Sequence, residues 1–332
     1  MLRRTFLTVP ALAAVGGLLS CRKHQAASPR MKLRVATSHN LSMCPFYLAY
    51  ESGYFTEAGF DIEVVKDLGT GQSMPLLAGG KLDVSLGVLG PAVVNAVGRG
   101  ARVRVVAARE VLSPGCGTVN TIFVNRKAFP HGIREMRQLR GARIGIGNSG
   151  TWSKFALDTL LQHEGMRLSD VVVLKMRDTD KVVALHGGAI EAFLSSQGDL
   201  NPELRPLGLV AGPGLGSLLP NFQYSYIFFG SRLLDGPVEP GARFLRAHFR
   251  GARDYLEGRT PRFLEDYAKL NNLDSKLLRE ACRASFERDG TIHPDDMRRY
   301  TAWLAEQGMC PANVDIAAYV DTRFLEAARR MS

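Results

Sequence analysis

From residue 32 onward, short apolar segments rich in β-branched residues alternate with stretches of helical periodicity. In the first part of the chain we predict strands at 33–37, 61–66, 83–86 and 103–107, separated by helices at 46–52, 73–78 and 92–97. Strands and helices that alternate at this spacing form parallel βαβ units. The chain is therefore predicted to be an α/β protein.

The same alternation begins again in the second part of the chain. We predict strands at 142–146, 171–174 and 190–194, with helices at 153–163 and 181–186, whereas only helical patterns follow residue 231. Two further apolar runs, 121–124 and 223–229, would carry the chain to a second lobe and back. A chain of 332 residues is long enough for two separate cores. We predict two α/β lobes, with lobe 1 formed by 32–119 and 228–332, lobe 2 by 120–227, and a helical C-terminal part packed on lobe 1.

The N-terminus has the pattern of an export signal. Arg3 and Arg4 precede an uncharged apolar run that ends in Leu18-Leu19-Ser20-Cys21. The run is too short to span a bilayer and has the length of a signal-peptide core. Its end resembles the site at which bacterial lipoproteins are cleaved and lipid-modified, so we predict a signal peptide at 1–20, lipidation of Cys21 and a tether at 21–31. The export route, general or twin-arginine, stays open.

These features predict a protein that is lipid-anchored on the periplasmic or cell-surface side of the cytoplasmic membrane. The net charge of +10 is dispersed, and no basic run is interleaved with aromatic residues as a nucleic-acid groove requires. We therefore expect no nucleic-acid partner, and a monomer. The other cysteines, Cys44, Cys116, Cys282 and Cys310, have no spacing that selects a disulfide pairing or a metal site. No metal or cofactor is predicted.

Several phrases of the sequence, in order, resemble one family. They are Pro45-Phe46-Tyr47-Leu48-Ala49 with Glu51-Ser52-Gly53-Tyr54-Phe55, Leu76 to Val84, Leu139 to Ile144, Ala184 to Ala192, and Phe244-Leu245-Arg246-Ala247. The family is that of the periplasmic solute-binding proteins of ABC transporters for aliphatic sulfonates, nitrate, taurine and thiamine pyrimidine precursors. The resemblance implies a two-lobed clamshell of type II that closes on a small solute and hands it to a permease, with no chemistry performed.

Ligands of such lobes bind at the carboxyl ends of the strands, where helix N-termini present free N–H groups. By this rule the predicted ligand-binding residues of lobe 1 are Ser38, His39, Asn40, Gly69, Thr70, Gly71, Gly87 and Leu89. Those of lobe 2 are Asn148, Ser149, Gly150, Thr151, Asp178 and Gln197. Alternatively, the two glycines at 69 and 71 are plain turn residues and 148–151 is a helix cap without a ligand. Trp152 and Tyr226 could stack on a ring in the cleft, but the core or its rim is the more expected place for each.

Three alternatives concern the chemistry. Gly145, Gly147 and Gly150 form a literal G-x-G-x-x-G between a strand and a helix, which in an NAD(P)-dependent oxidoreductase would hold the pyrophosphate. The first acid beyond the next strand, Asp178, comes late for the ribose contact. A pyrimidine-synthesising enzyme of the same fold would need a catalytic histidine and a cysteine-rich segment, and the sequence has no cysteine cluster. A serine hydrolase is disfavoured because no Gly-x-Ser-x-Gly occurs.

The sequence is compatible with two classes of ligand. A sulfonate, nitrate or taurine-like anion would suit helix N-termini, hydroxyl groups and a basic body. A pyrimidine precursor would instead require aromatic rings and carboxylates. No arginine stands in a predicted cleft loop, which weakens the case for a strong anion because bidentate arginine is its usual partner.

Overall fold

The structure is a computed structural model. It describes residues 29–38, 41–113, 120–147, 151–195, 209–260, 263–270, 275–276 and 286–331. The predicted signal peptide, Cys21 and most of the predicted tether lie outside these residues. Within the described part, no helix is both long enough and apolar enough to cross a membrane.

The first sheet has five strands in the order β2-β1-β3-β10-β4. They are β1 (Met31–Ala36), β2 (Phe60–Val65), β3 (Val84–Val88), β4 (Arg104–Val111) and β10 (Gln223–Phe229). β1 is parallel to β2 and β3, and β10 is antiparallel to both β3 and β4. The helices between these strands are α1 (Cys44–Glu51), α2 (Tyr54–Glu57), α3 (Thr70–Ala78) and α4 (Pro91–Gly98). This sheet and its helices are called lobe 1 below.

The second sheet repeats the arrangement, in the order β7-β6-β8-β5-β9. Its strands are β5 (Thr121–Asn125), β6 (Arg143–Gly147), β7 (Val172–Met176), β8 (Ala192–Ser195) and β9 (Leu209–Gly214). β6 is parallel to β7 and β8, and β5 is antiparallel to β8 and β9. With α5 (Thr151–His163), α6 (Asp178–His186) and α7 (Leu215–Leu218) this sheet forms lobe 2.

The predicted two-lobed α/β fold is thereby confirmed. The chain leaves lobe 1 after β4 and returns to it through β10, as the apolar runs at 121–124 and 223–229 predicted. The predicted boundary at residue 228 falls inside β10, because Gln223–Phe229 pairs along its length with the strands of lobe 1.

One hydrogen-bonding pattern occurs in both lobes and explains two of the phrases noted in the sequence. In lobe 1 the Asp83 carboxylate accepts the N–H of Arg34 at 2.7 Å, and the Asp83 N–H donates to the carbonyl of Arg34 at 2.9 Å. In lobe 2 Glu191 makes the same two contacts with Arg143, at 2.7 and 3.0 Å. The carboxylates of these two sequence segments therefore stabilise the turn between a helix and the next strand, and they are not ligand contacts.

The C-terminal helices are α8 (Ser231–Leu234), α9 (Val238–Leu256), α10 (Phe263–Leu270), α11 (Pro294–Glu306) and α12 (Arg323–Arg330). α9 lies against α1, and the contact is so close that a Cβ on Gly251 would clash with the carbonyl of Pro45. α12 packs on α9. Both helices belong to lobe 1, as predicted.

α11 departs from that prediction because it also contacts lobe 2. The indole N–H of Trp303 donates to the carboxylate of Asp158 on α5 at 2.7 Å, and both residues are buried. The Lys154 ammonium of α5 donates to the side chain of Gln307 at 2.9 Å. One apolar cluster consequently runs from Val105 in lobe 1 through Trp303 to Ile144 in lobe 2.

Candidate functional site

The carboxyl end of β3 brings two of the predicted ligand-binding residues of lobe 1 together. Thr70 is the first residue of α3, and its hydroxyl accepts the N–H of Val88 at 3.1 Å. The contact is close enough that a Cβ on Gly87 would clash with the Thr70 hydroxyl, so the glycine is required for this approach. Thr70 is thus held at the edge of the sheet by the strand beside it.

The other predicted residues of this edge have different surroundings. The Gly69 N–H is capped by the side chain of Gln72 at 3.1 Å, whereas Gly71 is exposed with open space around its Cα. Ser38 is half-buried after β1. The Leu89 side chain is buried in the core, so only its backbone faces this edge, and its N–H donates to the carbonyl of Tyr224 at 3.2 Å.

A buried polar cluster, which the sequence reasoning missed, adjoins these residues. We call it the Arg109 cluster; it consists of Ser42, Arg109, Glu110, Tyr224 and Ser225. The Arg109 guanidinium is 2% exposed and donates to Glu110 at 2.7 Å, to the Ser225 hydroxyl at 2.5 Å and to the Ser42 hydroxyl at 3.0 Å. The Ser225 hydroxyl in turn donates to the carbonyl of Gly87 at 3.3 Å. The cluster therefore lies where β4 ends, where β10 begins and where the chain has just left β1.

Burial dominates the electrostatics of the Arg109 cluster. It raises the pKa of the Glu110 carboxyl, although the Arg109 charge and the hydroxyls of Ser42 and Ser225 act in the opposite direction. Burial and the nearby Glu110 carboxylate raise the pKa of Tyr224 well above its ordinary value. Behind the cluster, burial and the Arg109 charge lower the pKa of His248 to about 3, so this histidine is neutral. Glu110 compensates the charge of Arg109. The Arg109 guanidinium is therefore poorly suited to serve as the counterion of an anionic ligand.

The signal that could have found this cluster is the position of two charged residues inside an apolar strand. Arg109 and Glu110 follow Val105-Val106-Ala107-Ala108 and precede Val111 and Leu112, so the apolar run continues past residue 107, where the predicted strand ends. Charged residues are rarely buried unless they are paired.

Lobe 2 contributes the starts of two helices to the site. Thr151 and Trp152 begin α5 directly after β6, and Asp178 is the first residue of α6 after β7. The remaining predicted ligand-binding residues, His39, Asn40, Asn148, Ser149, Gly150 and Gln197, lie outside the described residues.

An aromatic contact joins the two lobes at this edge. The Trp152 ring stacks on Tyr224 of the Arg109 cluster, with a centroid distance of 4.7 Å and an interplanar angle of 15°. The indole N–H of Trp152 is buried, and no hydrogen-bond partner occurs for it in the described part of the chain. Tyr226 is buried and its hydroxyl donates to the carbonyl of Gln223 at 3.1 Å. Trp152 therefore belongs to the rim and Tyr226 to the core.

The glycine motif is explained by packing. Gly145 lies in the middle of β6, where a Cβ would be 3.0 Å from the Ile190 side chain and 3.2 Å from the sulfur of Met176. In a dinucleotide-binding loop the first glycine instead forms the turn after the strand. The structure thus gives the NAD(P) alternative no support at Gly145.

The described residues were compared with the requirements of metal sites and disulfides. Among them no group of three or more His, Cys, Asp or Glu side chains could hold a metal ion. Of the described cysteines, Cys44 is buried and Cys310 is partly exposed. Cys116 and Cys282 lie outside the described residues.

Residues 40–207 match the family model described as NMT1/THI5 like, which covers half of the chain. The chain belongs to the NMT1/THI5-like family. This match confirms the family resemblance found in the sequence.

Three similar proteins place this family membership in context. A curated relative, the 4-amino-5-hydroxymethyl-2-methylpyrimidine phosphate synthase of Schizosaccharomyces pombe, is 24% identical over 84% of this chain and 81% of its own length. The periplasmic aliphatic sulphonate binding protein SsuA of Escherichia coli has a TM-score of 0.72 at 15% identity, over 88% of this chain and 92% of that one. The periplasmic nitrate-binding protein NrtA of Synechocystis PCC 6803 has a TM-score of 0.65 at 13% identity, over 91% and 89%. At these identities the two structures show the fold alone.

The curated relative corrects one expectation. From the resemblance to binding proteins we predicted that the chain performs no chemistry. That prediction is wrong, because the curated relative is a synthase. The same fold carries binding proteins and enzymes, since function depends on the residues of the site and not on the fold.

Proposed function

We propose that this protein captures a small solute between its two lobes and delivers it to an ABC importer outside the cytoplasmic membrane. The observation that carries the proposal is that polar and aromatic residues of both lobes meet at one edge, where Trp152 of lobe 2 stacks on Tyr224 beside the Arg109 cluster. Clefts between α/β lobes, at the carboxyl ends of the strands, are the usual place for a ligand. The likeness to SsuA and NrtA supports the proposal at the level of the fold.

The predicted N-terminal features belong to this proposal. A signal peptide at 1–20 and a lipidated Cys21 would keep the protein at the membrane, next to the permease that it serves. The domain boundaries, the ligand contacts of the predicted cleft residues and the monomeric state are likewise parts of the proposal.

A sulfonate, nitrate or taurine-like anion is the solute class that we propose. The family resemblance supports it, and so does the oriented hydroxyl of Thr70 in the first turn of α3, because helix N-termini and hydroxyl groups suit small oxyanions. Arg109 is excluded as the main anion contact because Glu110 already compensates its charge.

A second candidate, pyrimidine phosphate synthesis, is favoured by the curated relative. Binding of a thiamine pyrimidine precursor is the related non-catalytic alternative. The flat Trp152 ring, with its unpartnered indole N–H among the described residues, and the buried Glu110 carboxyl are the kind of groups that a substituted pyrimidine would contact.

A thermal-shift screen of residues 22–332 tests the proposal against this candidate. The panel contains sulfonates, taurine, nitrate, thiamine pyrimidine precursors and NAD. A solute at 100 times its Kd adds about 2.7 kcal/mol of stability, which raises the melting midpoint by several degrees. We expect a shift with one anion class. A shift with the pyrimidine alone would favour the second candidate.

Complementation separates binding from synthesis. A strain that lacks 4-amino-5-hydroxymethyl-2-methylpyrimidine phosphate synthesis receives residues 22–332 in its cytoplasm, with the curated relative as positive control. Growth without added pyrimidine would establish the synthase. If the positive control grows and this chain does not support growth, solute capture is favoured.

A further inference from the structure

One face of lobe 1 lies opposite the cleft edge, at the amino ends of the parallel strands. β1 begins there at Met31, whose N–H donates to the carbonyl of Gly59 at 2.9 Å. Because β1 is parallel to β2 and β3, the amino ends of the three strands share one edge of the sheet. The proposed tether, 21–31, therefore enters the folded body at this edge. Six basic residues define what we call the tether face: Arg30, Lys32, Arg34, Lys81, Arg99 and Arg232.

The connections between helices and strands bring the later members of this set to the same face. Lys81 lies between α3 and β3, and Arg99 lies between α4 and β4. Arg232 follows β10, which is antiparallel to β3 and β4 and so ends where they begin. The guanidinium of Arg232 donates to the carbonyl of Lys32 at 2.7 Å, which ties the end of β10 to the start of β1.

Two guanidinium groups of the tether face share one carboxylate. The Asp83 side chain is 1% exposed and lies 3.5 Å from the Arg34 guanidinium and 3.6 Å from that of Arg232. The side chains of these two arginines are 33% and 49% exposed. One positive charge of this group is therefore uncompensated and borders on solvent.

The rest of the tether face adds further positive charge. Lys32 is paired with Glu63 at 2.8 Å, whereas Arg30, Lys81 and Arg99 are exposed and form no ion pair with any residue that the structure describes. With Asp61, Glu63 and Asp83 as its acids, the face carries six basic and three acidic residues and thus a net charge of +3. The adjacent ion pair of Arg102 and Asp235 adds no net charge.

The corresponding turn of lobe 2 is balanced. Arg143, the counterpart of Arg34, is paired with Glu191, and its Nε lies 3.2 Å from that carboxylate. Arg140 is paired with Asp170 at 2.6 Å. Each of these two arginines therefore has a carboxylate of its own, and the shared carboxylate is a feature of the lobe that the tether enters.

We propose that the tether face docks on the anionic headgroups of the membrane that holds the lipid anchor. Cys21 is ten residues before Met31, and an extended chain spans at most about 3.6 Å per residue, so the face stays within about 36 Å of the lipid. Exposed lysines and arginines at that range are attracted by an anionic leaflet. The proposal rests on the lipid-anchored location proposed above.

Docking through this face gives the protein an orientation. The six residues of β1 separate the tether face from the cleft edge by about 20 Å. The cleft edge of lobe 1, with Thr70, is therefore directed away from the lipid, where solute can reach it.

The test measures binding of residues 22–332, without a lipid anchor, to sedimented vesicles. Wild type should bind vesicles that contain phosphatidylglycerol and not vesicles of phosphatidylcholine alone, and high salt should abolish the binding because it screens exposed charges. The combined variant Arg30→Glu, Lys81→Glu and Arg99→Glu should bind at least about tenfold more weakly. Its melting midpoint should match that of wild type, since these side chains are exposed.

The matched control is the combined variant Lys127→Glu, Arg134→Glu and Arg167→Glu in lobe 2. These residues are also exposed and form no ion pair in the described part of the chain, and their reversal changes the net charge by the same amount. The control should bind almost as wild type does. Equal losses in the two variants would show that only the overall charge matters and would overturn the proposal.

The proposal is also overturned if wild type binds both kinds of vesicle equally or binds neither. If the tether-face variant melts below wild type, the double variant Lys81→Gln and Arg99→Gln is judged by its loss of vesicle binding, and wild-type binding by that variant would overturn the proposal. The lipid anchor itself is tested separately, by lipid labelling of the full chain and of Cys21→Ala. Failure of docking therefore leaves the anchor and solute capture to their own experiments.

Discussion

At the scale of single residues, buried charge determines the character of the site. Arg109 and Glu110 form an ion pair that is almost fully buried, and the hydroxyls of Ser42 and Ser225 satisfy further hydrogen bonds of the guanidinium. Because a buried ion pair pays a large desolvation cost, its removal as a pair costs far less than the loss of one partner.

The first prediction concerns this pair. Arg109→Met leaves the Glu110 carboxylate buried without its cation and should lower the free energy of unfolding by about 3–5 kcal/mol, as measured by urea denaturation. The double variant with Glu110→Gln should recover part of that loss. Arg102→Met is the control, because its partner Asp235 is exposed and such pairs contribute at most about 1 kcal/mol. Equal losses in Arg109→Met and Arg102→Met would contradict the account.

The second prediction concerns pH. The folded protein holds His248 neutral with a pKa of about 3, against 6.5 in the unfolded chain. The stability that this provides is present above pH 6.5 and is lost as the pH falls toward 3, since only the unfolded chain binds the proton. Between pH 7.5 and 5.5, wild type should lose about 1.4 kcal/mol more than His248→Gln in urea denaturation.

His131→Gln serves as the control for this measurement, because His131 is exposed. It should follow the wild-type pH dependence. The same pH dependence in His248→Gln and wild type would show that His248 takes up a proton in the folded state.

At the scale of helices and strands, the sequence predicts the α/β alternation but not every contact. The described strands other than β9 follow from period and length, because a buried parallel strand requires a short apolar run, whereas no strand was predicted at Leu209–Gly214. The side of α11 that faces α5 could not be predicted, since an amphipathic pattern identifies a buried face without naming what covers it. Arg109 and Glu110 were missed because the strand was predicted to end at residue 107, whereas β4 continues to Val111. The ligand-binding loops were predicted only from their position after the strands.

The third prediction tests the contact of α11 with lobe 2. Trp303→Phe replaces the indole by a smaller phenyl ring and removes the N–H that donates to the buried Asp158 carboxylate, so the free energy of unfolding should fall by at least about 1.5–3 kcal/mol. Tyr300→Phe on the same helix is the matched control. The Tyr300 hydroxyl is buried with no hydrogen-bond partner in the described part of the chain, so its removal should cost nothing. If Trp303→Phe has the same free energy of unfolding as wild type in urea denaturation, the contact between α11 and α5 does not stabilise the arrangement of the lobes.

At the scale of the whole molecule, two repeated lobes are joined by β10, by α11 and by the stacking of Trp152 on Tyr224. The lobes share their strand order and their turn chemistry, and lobe 1 places the buried Arg109 cluster at the edge where the lobes meet.

The central claim, solute capture at the edge where the lobes meet, is tested most directly by the fluorescence of Trp152. The chain has two tryptophans, so Trp303→Phe leaves Trp152 as the only one. We titrate this variant with each solute that raises the melting midpoint of wild type. A saturable change in emission, with one solute bound per chain, is predicted because Trp152 lies at the rim of the cleft on Tyr224. Unchanged emission with a solute that binds by isothermal titration would place the binding site elsewhere and contradict the account.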